Sequence, residues 1–534
     1  MLSKPKPLVN LFNWNPQLFR EIKGRFKIRN VAIVIFASLL CQFLFMRNFL
    51  SKLPEKYGAD IIMNKLNNYH YCIQPKEYYC TGINWSNWWT DIFLAFSWFL
   101  FTLTLLGGVY ILVANFVKEE RLGTLNFIRL SPQSSENILL GKFLGVPILI
   151  YLVTILFLPL HLWANISSGL SLYLFFAFYA ILILSCCFFY NASLIFVFLG
   201  GNQPWLATIL VGMLSWPIMA YFHSEYYRNF NLINGYKYDI DEFYYLHPEE
   251  IVILIIVFIL LIYWIWQAVN RCYRNPNATI ISKKQSYWFM ACLQVAILIF
   301  CFHIIEKNSS YIFDELLSIL LPINLFIFLL LITFLSSQRQ TLQDWARHRH
   351  LQVNNDETVI VKGLALSLKQ DLIWGEKSPP LVAIGINLVI TATIWISGIL
   401  LFNHNQINGI TLPAILTLIL SLNLILIYAV IIQLVLLMKV KNPKIWAVGI
   451  LGSLIALPPI ALLLLLITPE NSPNIWLFSN FPWFSLAHNS LAITPMLITI
   501  VAHWSVFTLL TLQLTRKIQK LGVSDSHKLY QTQV

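Results

Sequence analysis

Apolar residues run along this chain in long stretches parted by short polar segments. Neither the two-residue alternation of a half-buried strand nor a one-sided helical stripe governs most of them. An α-helix needs about 17–25 apolar residues to cross a hydrocarbon core of roughly 30 Å. Twelve stretches qualify, at 30–47, 91–116, 143–162, 172–199, 205–222, 251–269, 288–305, 312–335, 381–402, 411–438, 445–467 and 493–514. The pattern predicts an all-α polytopic membrane protein of about 12 transmembrane helices.

Composition narrows the class further. Only 11% of the 534 residues are charged and 58% are hydrophobic, against about 25% charged in an average soluble domain, and the mean hydropathy is +0.68. So few charges cannot coat a water-facing surface, which excludes a soluble globular protein. The net charge of +12 is a matter of topology. With the N-terminus inside, 28 of the 36 Lys and Arg fall in inner segments, while 14 of the 24 acids fall on the outer side. Asymmetry of this kind predicts N-in and C-in. The basic residues are scattered over seven inner segments, unlike the single patch of a nucleic-acid binder. The first apolar run starts near Asn30 behind a basic segment, with no small-residue cleavage site, so it is expected to remain as a span.

Two halves are expected. Asn15-Pro16 precedes the first span and Asn275-Pro276 the seventh, each ahead of a basic stretch. Residues 1–29 read as a cytoplasmic amphipathic connecting segment, with Leu18, Phe19, Ile22 and Phe26 on one helical face. Residues 30–274 then form a first six-span half and 275–534 a second, with a cytoplasmic loop at 336–380. Thr124-Leu125 with Arg129 in the first half has a counterpart in Thr341-Leu342 with Arg347 in the second. Such a duplication places a pseudo-twofold axis along the membrane normal.

The spans hold little chemistry. Arg47, Asp91, Asp314 and Glu315 sit at outer ends, within reach of water. Gln42, Asn191, Gln294, Asn324, Asn387, Asn423, Gln433 and His503 read as hydrogen-bonding glue between helices. Seven histidines, His161 among them, read as interfacial, with no pair at metal-ligand spacing. Trp85, Trp88, Trp89, Trp476 and Trp483 read as an interface belt. No Gly-x-x-x-x-Gly-Lys-Ser/Thr loop is present to cradle a nucleotide phosphate. Cys72 and Cys80 share the first outer loop and are a possible disulfide, with two free thiols as the alternative.

One inner loop stands out, from Lys118 to Lys142. Glu119 to Leu130 can form a helix leaving the membrane, ended by Ser131-Pro132, after which Ser134 or Ser135 caps a helix whose Ile138, Leu139 and Leu140 re-enter lipid. A short amphipathic element held between two spans is a docking knob for a soluble partner.

Glu120-Arg121, Gly123-Thr124-Leu125, Leu130-Ser131-Pro132 and Ile138-Leu139-Leu140-Gly141-Lys142 resemble the membrane subunits of ATP-binding-cassette transporters of the type-two exporter family. The resemblance implies a transmembrane permease, an exporter rather than an enzyme, in a bacterial-type cytoplasmic (inner) membrane. It implies a coupling loop at Glu119, Glu120, Arg121, Gly123, Thr124, Leu125, Arg129, Pro132, Gly141 and Lys142. It also implies a separate ATPase subunit, in two copies, that carries the ATP, so that this chain itself binds no cofactor or metal. The second half lacks the Glu-Arg and the Gly of the motif. Two other readings stay open: a twelve-span secondary carrier, which wants buried charges, and a glycosyltransferase-like membrane enzyme using Asp60, or Asp239, Asp241 and Glu242.

Overall fold

The computed structural model describes residues 14–53, 55–57, 60–62, 69–73, 79–80, 82–233, 248–276, 278–307, 312–337, 339–355, 361–402, 411–440, 443–469, 471–479, 481–482 and 493–522. The chain is an all-α polytopic membrane protein. Among the described residues, eleven helices are long and apolar enough to cross a membrane, or twelve if Leu320–Leu335 and Arg339–Arg349, bent by 64°, are one span. Two compact units are present, Met1–His247 with Phe258–Pro276, and Pro248–Val257 with Asn277–Val534.

The first unit opens with α1 (Pro16–Arg25) and α2 (Ile28–Leu50). Short antiparallel strands follow, Glu55–Tyr57, Asp60–Ile62 and Tyr79–Cys80 in one sheet and Cys72–Ile73 with Gly82–Ile83 in another. Apolar periodicity gave no hint of them, since strands of two or three residues are too short to show a period. Next come α3 (Trp85–Arg121), α4 (Thr124–Arg129), α5 (Ser135–Gly145), α6 (Ile148–Ser167), α7 (Leu172–Phe198), α8 (Pro204–Ile233) and α9 (Pro248–Arg274), the last contributing to both units. Within α3, Leu103–Gly107 form a π-helical turn. The hydroxyl of buried Tyr190 on α7 donates to Thr104 O in this turn at 2.6 Å, a carbonyl that also accepts from Gly108 N–H.

His161 is not interfacial, contrary to the sequence expectation. It is fully buried on α6, bonded to Ser97 Oγ at 3.0 Å and Tyr179 Oη at 3.1 Å, and stacked on Phe93. Two hydroxyls satisfy both ring nitrogens, which permits a polar ring among aromatic neighbours. Trp88 likewise leaves the interface belt: it is buried and donates Nε1–H to Phe49 O at 2.9 Å. Trp476 is buried too and bonds Ile467 O, whereas Trp85 is exposed as expected; Trp483 lies outside the described residues.

Asp91 has protein partners at its end of α3. It accepts from Tyr71 Oη at 2.7 Å and pairs with His70 Nε2 at 3.4 Å. The hydrogen bond to the carboxylate raises the His70 pKa above its ordinary 6.5. This pairing therefore contributes fully below about pH 6.5 and fades as pH rises through the raised value. An NMR titration of His70 should have its midpoint above 6.5 and fall back in Asp91→Asn; an unchanged midpoint in that variant would remove the pairing.

The second unit contains α10 (Lys283–Lys307), α11 (Ile312–Leu335), α12 (Arg339–Asn355), α13 (Val361–Trp374), α14 (Leu381–Phe402), α15 (Thr411–Leu436), α16 (Pro443–Leu464), α17 (Pro473–Trp476) and α18 (Ile493–Gly522). Asn275-Pro276 starts no surface helix. The described residues from Ala278 to Ser282 are non-helical, Ile280 and Ile281 are buried, and Ile280 N–H bonds Phe334 O at 3.1 Å. The apolar pair draws this segment inward.

Spans α10 and α14 pack through polar groups at helical spacing. Asn387 Nδ2 donates to Ser286 Oγ at 3.0 Å, and Trp395 Nε1 donates to Gln294 Oε1 at 2.7 Å. Both bonds match residues 101 apart in the same order, so the two helices run parallel. Gln294 also donates to Asn324 Oδ1 on α11 at 2.7 Å. Trp395→Phe leaves Gln294 Oε1 buried without a donor and should cost about 1–3 kcal/mol. A melting temperature equal to the wild type's would show that the bond contributes nothing net.

Candidate docking site

The inner loop predicted as one helix from Glu119 to Leu130 is broken at Gly123. Helix α3 ends at Arg121, with Leu122 N–H on Lys118 O and Gly123 N–H on Glu120 O. Gly123 has φ +71°, the left-handed conformation that ends helices and that glycine adopts at least cost. Glu119 and Glu120 therefore close α3 and do not open a new helix. Thr124 Oγ1 donates to Glu119 O across the break, and Arg121 Nη2 donates to Asn202 O.

Helix α4 is two-faced. Leu125 and Ile128 are buried, whereas Phe127 is 82% and Leu130 84% exposed, with Leu122 also exposed. Arg129 bonds Asn126 Oδ1 and lies over the Tyr273 ring at 5.2 Å. Ser134, rather than Ser135, caps α5, its Oγ accepting from Asn137 N–H at 3.3 Å. Ser135 Oγ instead donates to Asn270 Oδ1 on α9, and Asn270 Nδ2 donates to Glu136.

Helix α5 turns its apolar side to protein. Ile138 and Leu139 are buried, and α5 packs along α1. Asn15 joins the two helices: its Oδ1 caps α1 by accepting from Leu18 N–H at 3.0 Å, and its Nδ2 donates to Asn137 O at 2.8 Å. Gly141 and Gly145 admit the close approach. A Cβ at Gly141 would stand 2.7 Å from Leu18 N, and one at Gly145 2.6 Å from Glu21 Cβ. This small-xxx-small spacing is the membrane packing motif, and it was the readable signal for the contact. Gly141→Ala should loosen α1 and cost about 1–3 kcal/mol, as overpacking does, which a thermal melt reads.

Lys142 is not on a docking surface either. It is fully buried, its Nζ 2.5 Å from Glu119 Oε2, 3.2 Å from Asn115 Oδ1 and 3.8 Å from Glu21 Oε1. It also lies 4.9 Å from the centre of the Phe116 ring. Arg25 Nε bonds Glu21 Oε2 at 3.3 Å. Two cations and two carboxylates thus balance where α1, α3 and α5 meet. Glu119, Gly141 and Lys142 hold the loop in place, while Glu120, Arg121, Thr124 and Pro132 are exposed.

Helix α1 buries Gln17, Leu18 and Glu21, while Phe19 and Ile22 are half-buried and Phe26 is exposed. Its other side forms one wall of a groove of about 860 Å³, with Phe19, Arg20 and Lys23 opposite Phe127, Leu130 and Pro132. The arrangement is an apolar ridge next to two basic side chains, on a frame fixed by buried ion pairs.

The second-half counterpart is built differently. Leu342 is buried against Val430, Leu434, Leu437 and Leu514, Thr341 is half-buried, and Arg347 alone is exposed. All three lie on α12, which packs along α18, so they form no free knob. In the outer loop Cys72 is disulfide-bonded; the side chain of Cys80 lies outside the described residues, as do those of Asp60, Asp239, Asp241 and Glu242. No group of three or more His, Cys, Asp or Glu suited to a metal occurs among the described residues. Compared with known families, curated proteins and solved structures, the chain gives no match.

Proposed function

We propose that this chain is the permease subunit of an ATP-binding-cassette exporter, with N- and C-termini inside and two six-span halves, driven by a separate ATPase that docks on α4. The observation that carries the reading is the exposed pair Phe127 and Leu130 on a helix whose other face is buried. Charge asymmetry supports an inner position for this loop, where ATP is available. A soluble partner covering the ridge would bury apolar area otherwise left in water, and a surface with acidic groups would complement Arg20 and Lys23.

The frame behind α4 suits force transmission. The helix follows a span directly at Gly123, and the Glu119–Lys142–Glu21 cluster ties that span to α1 and α5, so a push on α4 reaches three membrane-linked helices. Coupling needs such contacts, made in one state and altered in another. The cargo fits the same reading. The amides and histidine inside the spans carry no formal charge, and some of them join neighbouring helices, which favours lipidic or amphipathic cargo over small ions.

The test is co-purification with the ATPase co-expressed from the same source. Phe127→Asp with Leu130→Asp should weaken association about 100-fold or more, because a desolvated aromatic and a neighbouring leucine behave as a hot spot. Its melt should stay within about 0.5 kcal/mol of wild type, since both side chains are exposed. Gly123 is unsuitable for this purpose: a β-branched residue at its positive φ would strain the bend itself. Undiminished association of the double variant would remove α4 as the docking element. The chain alone should hydrolyse no ATP.

A further inference from the structure

In the second unit, the ends of α11 and α15 and the first turn of α12 enclose a cavity of about 20 Å³, lined among others by Ser336, Ser337, Arg339, Leu342 and Gln433. Donors without acceptors gather around it. Gln433 is 6% exposed and its Nε2 has no partner, and Arg339 Nε is buried without one. Trp345 Nε1, two turns along α12, is equally unpartnered and belongs to the apolar cluster of Leu342, Leu434 and Leu437 beside the cavity. Arg339 is the first residue of a 17-residue helix, whose first-turn N–H groups and positive dipole end add to the excess of donors. No carboxylate is among the described residues that line the cavity.

We propose that this corner seats a phosphate group, one oxygen entering the cavity and the others facing outward. Buried donors are costly unless an acceptor meets them. An anion at a helix N-terminus beside a guanidinium satisfies several donors at once, and a planar guanidinium matches phosphate geometry. Two sources carry this chemistry, a phospholipid headgroup and soluble phosphate. The position, where the apolar helices α11 and α15 end and α14 begins, favours the lipid. The seat also accounts for the departure of this half from the first: α12 lies along α18, with Leu342 on the end of α15 and its leading end at an anion, instead of presenting a ridge to a partner.

The test needs no ATPase, so its failure is separate from that of the permease reading. The full chain, delipidated in dodecyl maltoside, which has no phosphate, is melted with added phosphatidylglycerol, with inorganic phosphate, or with a galactolipid of the same acyl chains. Phosphatidylglycerol should raise the apparent Tm by roughly 3–5 °C and the galactolipid should not. Arg339→Gln and Gln433→Leu should each abolish the rise. Without lipid, Gln433→Leu should melt at or above the wild-type temperature, because an unpartnered buried amide is gone, so its lost response does not reflect misfolding. A rise with inorganic phosphate that both variants abolish supports the seat and adds the free ion as an occupant. Equal rises with both lipids, variants that respond like wild type, or no rise with either phosphate source would overturn the proposal and leave a corner filled by water.

Discussion

Lys142→Met should release α1 from its seat and cost about 3–5 kcal/mol, the usual consequence of removing one partner from a buried ion pair. The ammonium is fully buried, and without it Glu119 and Glu21 face each other with only Arg25, on the rim, to offset them. Methionine matches the stem in volume, so the loss is electrostatic rather than steric. Faster proteolysis at residues 14–29, together with a lower melting temperature, is the expected signature. The triple variant with Glu21→Gln and Glu119→Gln should regain most of the stability, since no uncompensated charge is left buried. A single variant as stable as wild type would show that the cluster does not clamp α1.

The second large effect is expected at Gly108, beside the π-helical turn. A Cβ there would overlap the Tyr190 ring, and Tyr190 is fully buried with its hydroxyl on Thr104 O. Gly108→Val must displace that ring. Overpacking costs about 1–3 kcal/mol, and losing the bond leaves the buried Tyr190 hydroxyl unmet at about 1–3 kcal/mol more, while Thr104 O keeps the Gly108 N–H. Tyr190→Phe isolates the second contribution, because it removes the hydroxyl and keeps the ring. Wild-type melting of Gly108→Val would mean that α3 and α7 do not pack as described.

The sequence made the spans readable because crossing lipid requires a single uninterrupted property, apolarity over about 20 residues. The helices Leu172–Phe198 and Leu381–Phe402 lie within one residue of the stretches read from hydropathy alone. The loop from Lys118 to Lys142 was legible as a distinct element, but not which of its residues are buried. Gly141 and Lys142 lie in the same motif as the exposed residues, and nothing in a linear pattern says that they face α1, more than 100 positions away. The Gly141-x-x-x-Gly145 spacing was the available signal. The burial of Gln17 and Glu21 beside Leu18 on α1 has a related cause: the Asn15 cap and the glycine contacts of α5 hold that side inward. His161 reads as interfacial by default, and its two hydroxyl partners come from the neighbouring spans, Ser97 on α3 and Tyr179 on α7. Chain order carries no trace of such pairings.

The most direct test of the central claim is ATP hydrolysis by the co-expressed ATPase in vesicles, with and without this chain. The account predicts a rate that rises when the wild-type chain is present and does not rise with Phe127→Asp/Leu130→Asp at equal incorporation. A rate indifferent to the chain, or stimulated equally by the double variant, would contradict a permease coupled through α4.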